Sequence, residues 1–230
     1  MFFSMYGLFM LIPAMLLAFY AQAKVTRNLS RFSQVPTRKG MRGADVAAAI
    51  LYDHGIRDVE IERLEANAGD HYDPGKKKIR LSAHVHDASS VTAVAVAAHE
   101  VGRAIQHNES YSPLIVRGAV FPIVRLASGA AIPLIFIGLF LGIGGDFAPI
   151  LVDVGIIFFA VTVAFHIITL PVEFNASRRA REVLEAGRFL SDDELDGARK
   201  VLSAAALTYV AAATMAIMQL LRFLLIRGRN

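Results

Sequence analysis

Ala98-His99-Glu100-Val101-Gly102-Arg103-Ala104-Ile105-Gln106-His107 differs by one letter from the pattern His-Glu-x-x-His, with Arg103 where the second histidine would stand. The pattern belongs on an α-helix, where residues four apart share a face with Cβ atoms about 5–6 Å apart. Two imidazoles at that spacing can hold one Zn²⁺, and the carboxylate beside the first can deprotonate a metal-bound water. His99 is therefore the candidate first metal ligand and Glu100 the candidate general base. Arg103 is a permanent cation with no lone pair to give a metal. His107 lies two turns beyond His99, about 12 Å along a helix, too far for both to reach one ion.

Four apolar runs surround this stretch. The chain has 230 residues, 55% of them hydrophobic, and a mean hydropathy of +0.47, which points to a membrane class. The runs 1–23, 126–143 and 201–221 contain no charge, and 154–172 holds only His166 as an ionisable group. Each approaches the roughly 20 residues that a bilayer-spanning helix needs. The first run has no basic residue before it, so it reads as an uncleaved anchor rather than a secretory signal. Lys24, Arg27, Arg31, Arg38, Lys39 and Arg42 follow it, and Arg178, Arg179, Arg181, Arg188, Arg199 and Lys200 lie between the last two runs. By the positive-inside bias both segments are cytoplasmic, and the turn Gly144-Gly145-Asp146-Phe147-Ala148-Pro149 faces out. Arg222, Arg227 and Arg229 oppose that orientation for the last helix. No cysteine is present, which excludes disulfides and thiolate ligands. No zinc ribbon, helix-turn-helix signal or aromatic-interleaved basic patch suggests nucleic acid. Lipid bilayer accounts for the basic loops.

Between the first two runs, Gly43 to His54 carries Val46, Ala47, Ile50 and Leu51 at helical spacing and stops at Gly55. Val59 to Glu62 and Lys77 to Ser82 alternate as strands, with a turn at Asp73-Pro74-Gly75. Val91 to His107 is the motif helix. The strand at 77–82 is the candidate edge along which a peptide could add. His84 and His86 read as a strand end or loop, His54 as a helix end and His71 as a turn residue. The 24–112 unit is too small for an ample core of its own, so it is expected to pack on membrane helices. Ser191 and Glu194 have capping-box spacing for the last long helix. His166 is a weaker candidate, an intramembrane ionisable residue seven positions before Glu173.

Five segments follow in order: Asp70-His71-Tyr72-Asp73-Pro74, Lys78-Ile79-Arg80-Leu81-Ser82, Val94-Ala95-Val96-Ala97-Ala98-His99-Glu100-Val101-Gly102, Leu170-Pro171-Val172-Glu173-Phe174-Asn175-Ala176-Ser177-Arg178-Arg179-Ala180, and residues 198–213. Together they resemble the YugP-type neutral zinc metallopeptidases, a family of bacterial membrane proteins, and more distantly the HtpX-like membrane proteases. The resemblance covers nearly the whole chain. It implies a mostly α membrane fold, with about four transmembrane helices and a small cytoplasmic α+β unit carrying a zincin-like His-Glu helix. The divisions implied are an anchor at 1–23, the α+β unit at 24–112, two transmembrane helices at 113–170, a third-ligand segment and cytoplasmic helix at 171–200, and a last transmembrane helix at 201–230.

The resemblance also implies zinc, Glu173 as the third ligand, and membrane-protein or unfolded polypeptide substrates at the cytoplasmic face of the bacterial inner membrane. An HtpX-like site has an acidic residue four positions after the ligand Glu, where this chain has Ser177. Ser177, Asn175 and Arg179 are candidate supports for the ligands or the substrate. With Arg103 in place, zinc is expected to be weak or absent. The chain then reads either as a metallopeptidase impaired by Arg103 or as a pseudoprotease that binds without cleaving. A small transporter fits less well, because the polar residues follow protease order. Arg103 is expected to fill the metal position and to pair with Glu173 or Glu100.

Overall fold

The computed structural model describes residues 5–65, 69–140 and 147–228. Of the positions read above, Gly144-Gly145-Asp146 of the outward turn, the ends of the first two apolar runs at 1–4 and 141–143, and Arg229 lie outside the described residues. The elements run α1 (Met5–Ser33), α2 (Gly43–Asp53), β1 (Glu60–Leu64), β2 (His71–Asp73), β3 (Lys78–Ser82), α3 (Ala83–His86), α4 (Val91–Asn108), α5 (Ser112–Phe140), α6 (Phe147–Ala186) and α7 (Asp192–Arg227). The protein is mostly helical, and α1, α5, α6 and α7 are long and apolar enough to cross a membrane.

The chain divides into two compact units. One contains residues 1–20, 115–171 and 209–230. Here α5 and α6 approach closely because both carry a glycine at the contact. A Cβ on Gly138 would stand 2.8 Å from the Ala148 carbonyl oxygen, and one on Gly155 2.9 Å from that of Ala131. Ile135, Val152, Ile156 and Phe223 form the core of this unit, with Phe159 and Phe223 edge to face at 5.2 Å. Arg227 grips Asp153 through two parallel bonds, Nε to Oδ1 at 2.6 Å and a terminal nitrogen to Oδ2 at 2.9 Å.

The other unit contains residues 21–114 and 172–208. Its core joins Val46, Ile50, Ile79, Leu81, Val94 and Val101 to Phe32, Leu184, Leu195 and Val201. The small α+β segment thus completes its core with the end of α1, the C-terminal part of α6 and the start of α7. Helix α2 stops as its sequence suggests. Gly55 takes a φ of +69°, and Ile56 N–H reaches back to the Leu51 carbonyl at 3.0 Å. At the head of α7, Glu194 accepts the Ser191 N–H at 2.7 Å and the Arg38 N–H at 2.6 Å.

Several details differ from the sequence reading. The sheet order is β1-β3-β2, with β1 parallel and β2 antiparallel to β3. The strand expected at 77–82 is therefore central, and its edges are already paired. His71 belongs to β2 rather than a turn, and His84 and His86 sit on the short helix α3. Phe147, Ala148 and Pro149 form the first turn of α6 rather than part of a loop. Proline is tolerated there because first-turn N–H groups have no intrahelical acceptor. Pro171 lies inside α6, so the third apolar run and the segment divided from it at 171 form one helix.

Replacing Asp153 with Asn leaves the Arg227 guanidinium without its carboxylate. The expected loss is about 1 kcal/mol, read as a lower Tm in detergent. The reversed pair, Asp153→Arg with Arg227→Asp, is expected to recover most of it.

Candidate functional site

The site lies within the second unit, where α4 packs on the part of α6 that begins at Val172. Helix α4 starts cleanly, as the Ser90 hydroxyl accepts the Ala93 N–H at 3.2 Å. Its alanines and valines at 91–98, Val96 excepted, are buried, which fixes the rotation of the helix. Gly102 sets the approach to α6, since a Cβ there would stand 2.6 Å from the Ala176 carbonyl oxygen. This contact brings the turn that carries Glu173 against the face that carries His99 and Arg103.

Five polar side chains then meet in a poorly solvated space. Glu100 is 4% exposed and Glu173 is 1% exposed. A terminal nitrogen of Arg103 donates to Glu173 Oε2 at 2.8 Å. Arg103 Nε stands 3.4 Å from Glu100 Oε2 and 3.4 Å from His99 Nε2. His99 Nε2 is in turn 3.4 Å from Glu173 Oε2, and Ser177 Oγ lies 3.2 Å from His99 Nδ1. Burial pushes the Glu100 carboxyl above the usual carboxylate range and Glu173 adds to the rise, against the pull of Arg103, His99 and the Tyr72 N–H. That N–H donates to Glu100 Oε2 at 2.8 Å. Tyr72 pairs with Ile79 in the antiparallel register, and its N–H points to α4 rather than to β3. The outer edge of β2 thus lies against Glu100.

A second polar layer holds the α6 turn. Gln106, fully buried, donates to the Val172 carbonyl at 2.8 Å and to Asn175 Oδ1 at 2.9 Å. Arg179 Nε donates to the same Asn175 oxygen at 2.8 Å and pairs with Glu109 at 2.6 Å. Burial pushes the Tyr72 phenol up to about 12, so it stays protonated and shares a 2.7 Å hydrogen bond with His107 Nδ1. A cavity of about 770 Å³ is lined by Ser30, Ser82, Val85, Thr92 and Val96 among others. Thr92 and Val96 fall on the α4 face that carries His99 and Arg103.

Of the residues singled out in the sequence, His99, Glu100, Arg103, Glu173 and Ser177 come together, and Asn175 and Arg179 form the layer behind them. His166 belongs to the other unit. Gln106 and Tyr72 escaped the sequence reading. Gln106 carries a usable signal, because it falls three residues after Arg103 and seven after His99 on one helical face. Tyr72 carries none, since a three-residue strand is too short to show a period.

Nitrogen and oxygen donors around a tetrahedral Zn²⁺, at roughly 2.0–2.1 Å from the metal, stand about 3.3 Å apart. His99 and Glu173 hold nearly that separation, at 3.4 Å. The third corner belongs to a guanidinium, which supplies charge but no electron pair. Two donors and a fixed cation do not make a zinc set.

Residues 7–228 match the family described as "Putative neutral zinc metallopeptidase". The chain is 46% identical over 226 residues to a Bacillus subtilis (strain 168) protein named "Putative membrane protease YugP", an alignment covering 97% of this chain and 98% of that one. No solved structure matches the chain.

Gly102→Ala is expected to push α4 and α6 apart and to cost about 1–3 kcal/mol, measured by chemical unfolding. A neutral result would show that the close approach at Ala176 is not required.

Proposed function

Because the chain belongs to the neutral zinc metallopeptidase family, we propose that it keeps the polypeptide-binding framework of a membrane metallopeptidase while Arg103 impairs the hydrolytic centre. Zinc is the metal expected of the family, and its ligands here would be His99 and Glu173. The carrying observation is the 2.8 Å bond from Arg103 to Glu173, a carboxylate only 1% exposed. A divalent ion placed between these groups would face a cation that cannot deprotonate. In this reading the chain as written binds membrane-protein or unfolded segments and releases them uncut.

The chain's own groups support binding. A peptide adding to the sheet meets an outer strand, β1 or β2, and at β2 it has to do so beside the Tyr72 N–H that Glu100 already holds. Edge addition supplies backbone hydrogen bonds without strict sequence demands. The cavity along Thr92 and Val96 offers hydroxyl and apolar surface for side chains. The proposed setting is the bacterial cytoplasmic membrane with the site on the cytoplasmic side. The basic segments around 24–42 and 178–200 support this orientation.

The 3.4 Å spacing of His99 and Glu173 favours a specific outcome for reversion. Arg103→His restores the third donor to a site already spaced for a tetrahedral ion. Purified side by side and dialysed against trace zinc, the chain as written is expected to carry well under one zinc per chain and to cleave unfolded protein slowly or not at all. The Arg103→His protein is expected to approach one zinc per chain and to gain chelator-sensitive cleavage. Full zinc and normal turnover in the unaltered chain would overturn the proposal.

A further inference from the structure

Helix α5 carries two arginines within an apolar surface. Arg117 and Arg125 lie eight residues apart, about 12 Å along the axis, with Phe121 midway at four-residue spacing. Neighbouring side chains are bare, from 46% exposed at Val116 to 78% at Leu126. In a helix that crosses a bilayer, such surface belongs against lipid. The Arg117 guanidinium carbon lies 5.8 Å from the centre of the Phe165 ring, and that ring packs on Phe121 at 6.0 Å. The Nε of Arg117 is buried and has no hydrogen-bond partner among the described residues. Arg125 is exposed, and among the described residues neither arginine forms an ion pair. Arg227 in the same unit shows the contrast, since Asp153 matches it with two bonds.

A guanidinium beside hydrocarbon is costly unless an anion or water meets it. Helical side chains lean toward the N-terminus of their helix. Both arginines therefore reach toward the Ser112 end of α5, and their long stems let the charged heads snorkel to the membrane interface. The anion abundant there is phosphate on a phospholipid headgroup. A guanidinium presents a planar fork that matches phosphate oxygens. A zwitterionic headgroup brings its own ammonium close to two uncompensated cations, whereas an anionic one does not.

We propose that Arg117 and Arg125 form a strip on α5 that holds the phosphate headgroups of anionic phospholipids, one to each guanidinium, with Phe121 between them. The site rests on α5 crossing a bilayer and is independent of the peptidase reading.

The test uses the full chain in phosphatidylcholine nanodiscs with and without phosphatidylglycerol. Bound phosphatidylglycerol is counted by native mass spectrometry and its stabilising effect is read from thermal unfolding. Arg117→Gln and Arg125→Gln are each expected to weaken retention about fivefold, and the double variant more than either. Arg117→Lys is expected to keep part of it, which separates lost charge from lost folding. Arg57→Gln, an exposed arginine of the other unit, controls for net charge. Inorganic phosphate is expected to bind weakly and not to displace the lipid, since it lacks the acyl chain. Equal retention in the double variant, an equal loss in Arg57→Gln, or full displacement by inorganic phosphate would overturn the proposal.

Discussion

Glu100 and Glu173 are two buried carboxylates that meet the same guanidinium, and a low-dielectric pocket does not tolerate that arrangement without a positive charge. Much of the local geometry follows from how the charge is supplied. Arg103 delivers it from one turn further along the helix that carries Glu100, so the balance is covalently tethered and needs no ligand. Its guanidinium bonds Glu173 at 2.8 Å and lies 3.4 Å from both Glu100 and His99. The close approach of α4 to α6 then becomes stable rather than repulsive, and the Tyr72 N–H adds a further donor to Glu100. Removing one member of such a buried set costs more than the set contributes, because the remaining charge is stranded.

The same economy explains the layer behind the site. The α6 turn that carries Glu173 has Pro171 just before it, which deletes one backbone donor from the helix. That missing donor would have met the Ile167 carbonyl; separately, Gln106 donates to the Val172 carbonyl and to Asn175, and Arg179 ties Asn175 to Glu109. Gln106, Asn175 and Arg179 are buried or half-buried and Glu109 is exposed, and their bonds hold the turn against α4. These bonds present Glu173 to the Arg103 guanidinium from a turn held by several partners.

Much of this was legible in the sequence where spacing alone carries the meaning. The helix expected at 91–107, the grouping of His99 with Arg103, the four apolar runs and the end of α2 at Gly55 all follow from local periodicity or backbone preference. What depends on distant pairing was not legible. Strand β2 has three residues and α3 four, too few for any period to show. The central place of β3 is decided by partners on both sides. The fusion of the third apolar run with the Glu173 segment into one helix was hidden by Pro171, which reads as a boundary. Gln106 shares the helical face of His99 and Arg103, but its partners Val172 and Asn175 lie more than sixty residues on.

The central claim is that Arg103 stands in for a metal by neutralising Glu173. A double-mutant cycle with Arg103→Met and Glu173→Gln, read by chemical unfolding of the full chain, isolates that interaction. The account predicts a favourable coupling near the upper end of about 0.5–3 kcal/mol, with the double variant more stable than either single one. A coupling indistinguishable from zero would contradict it.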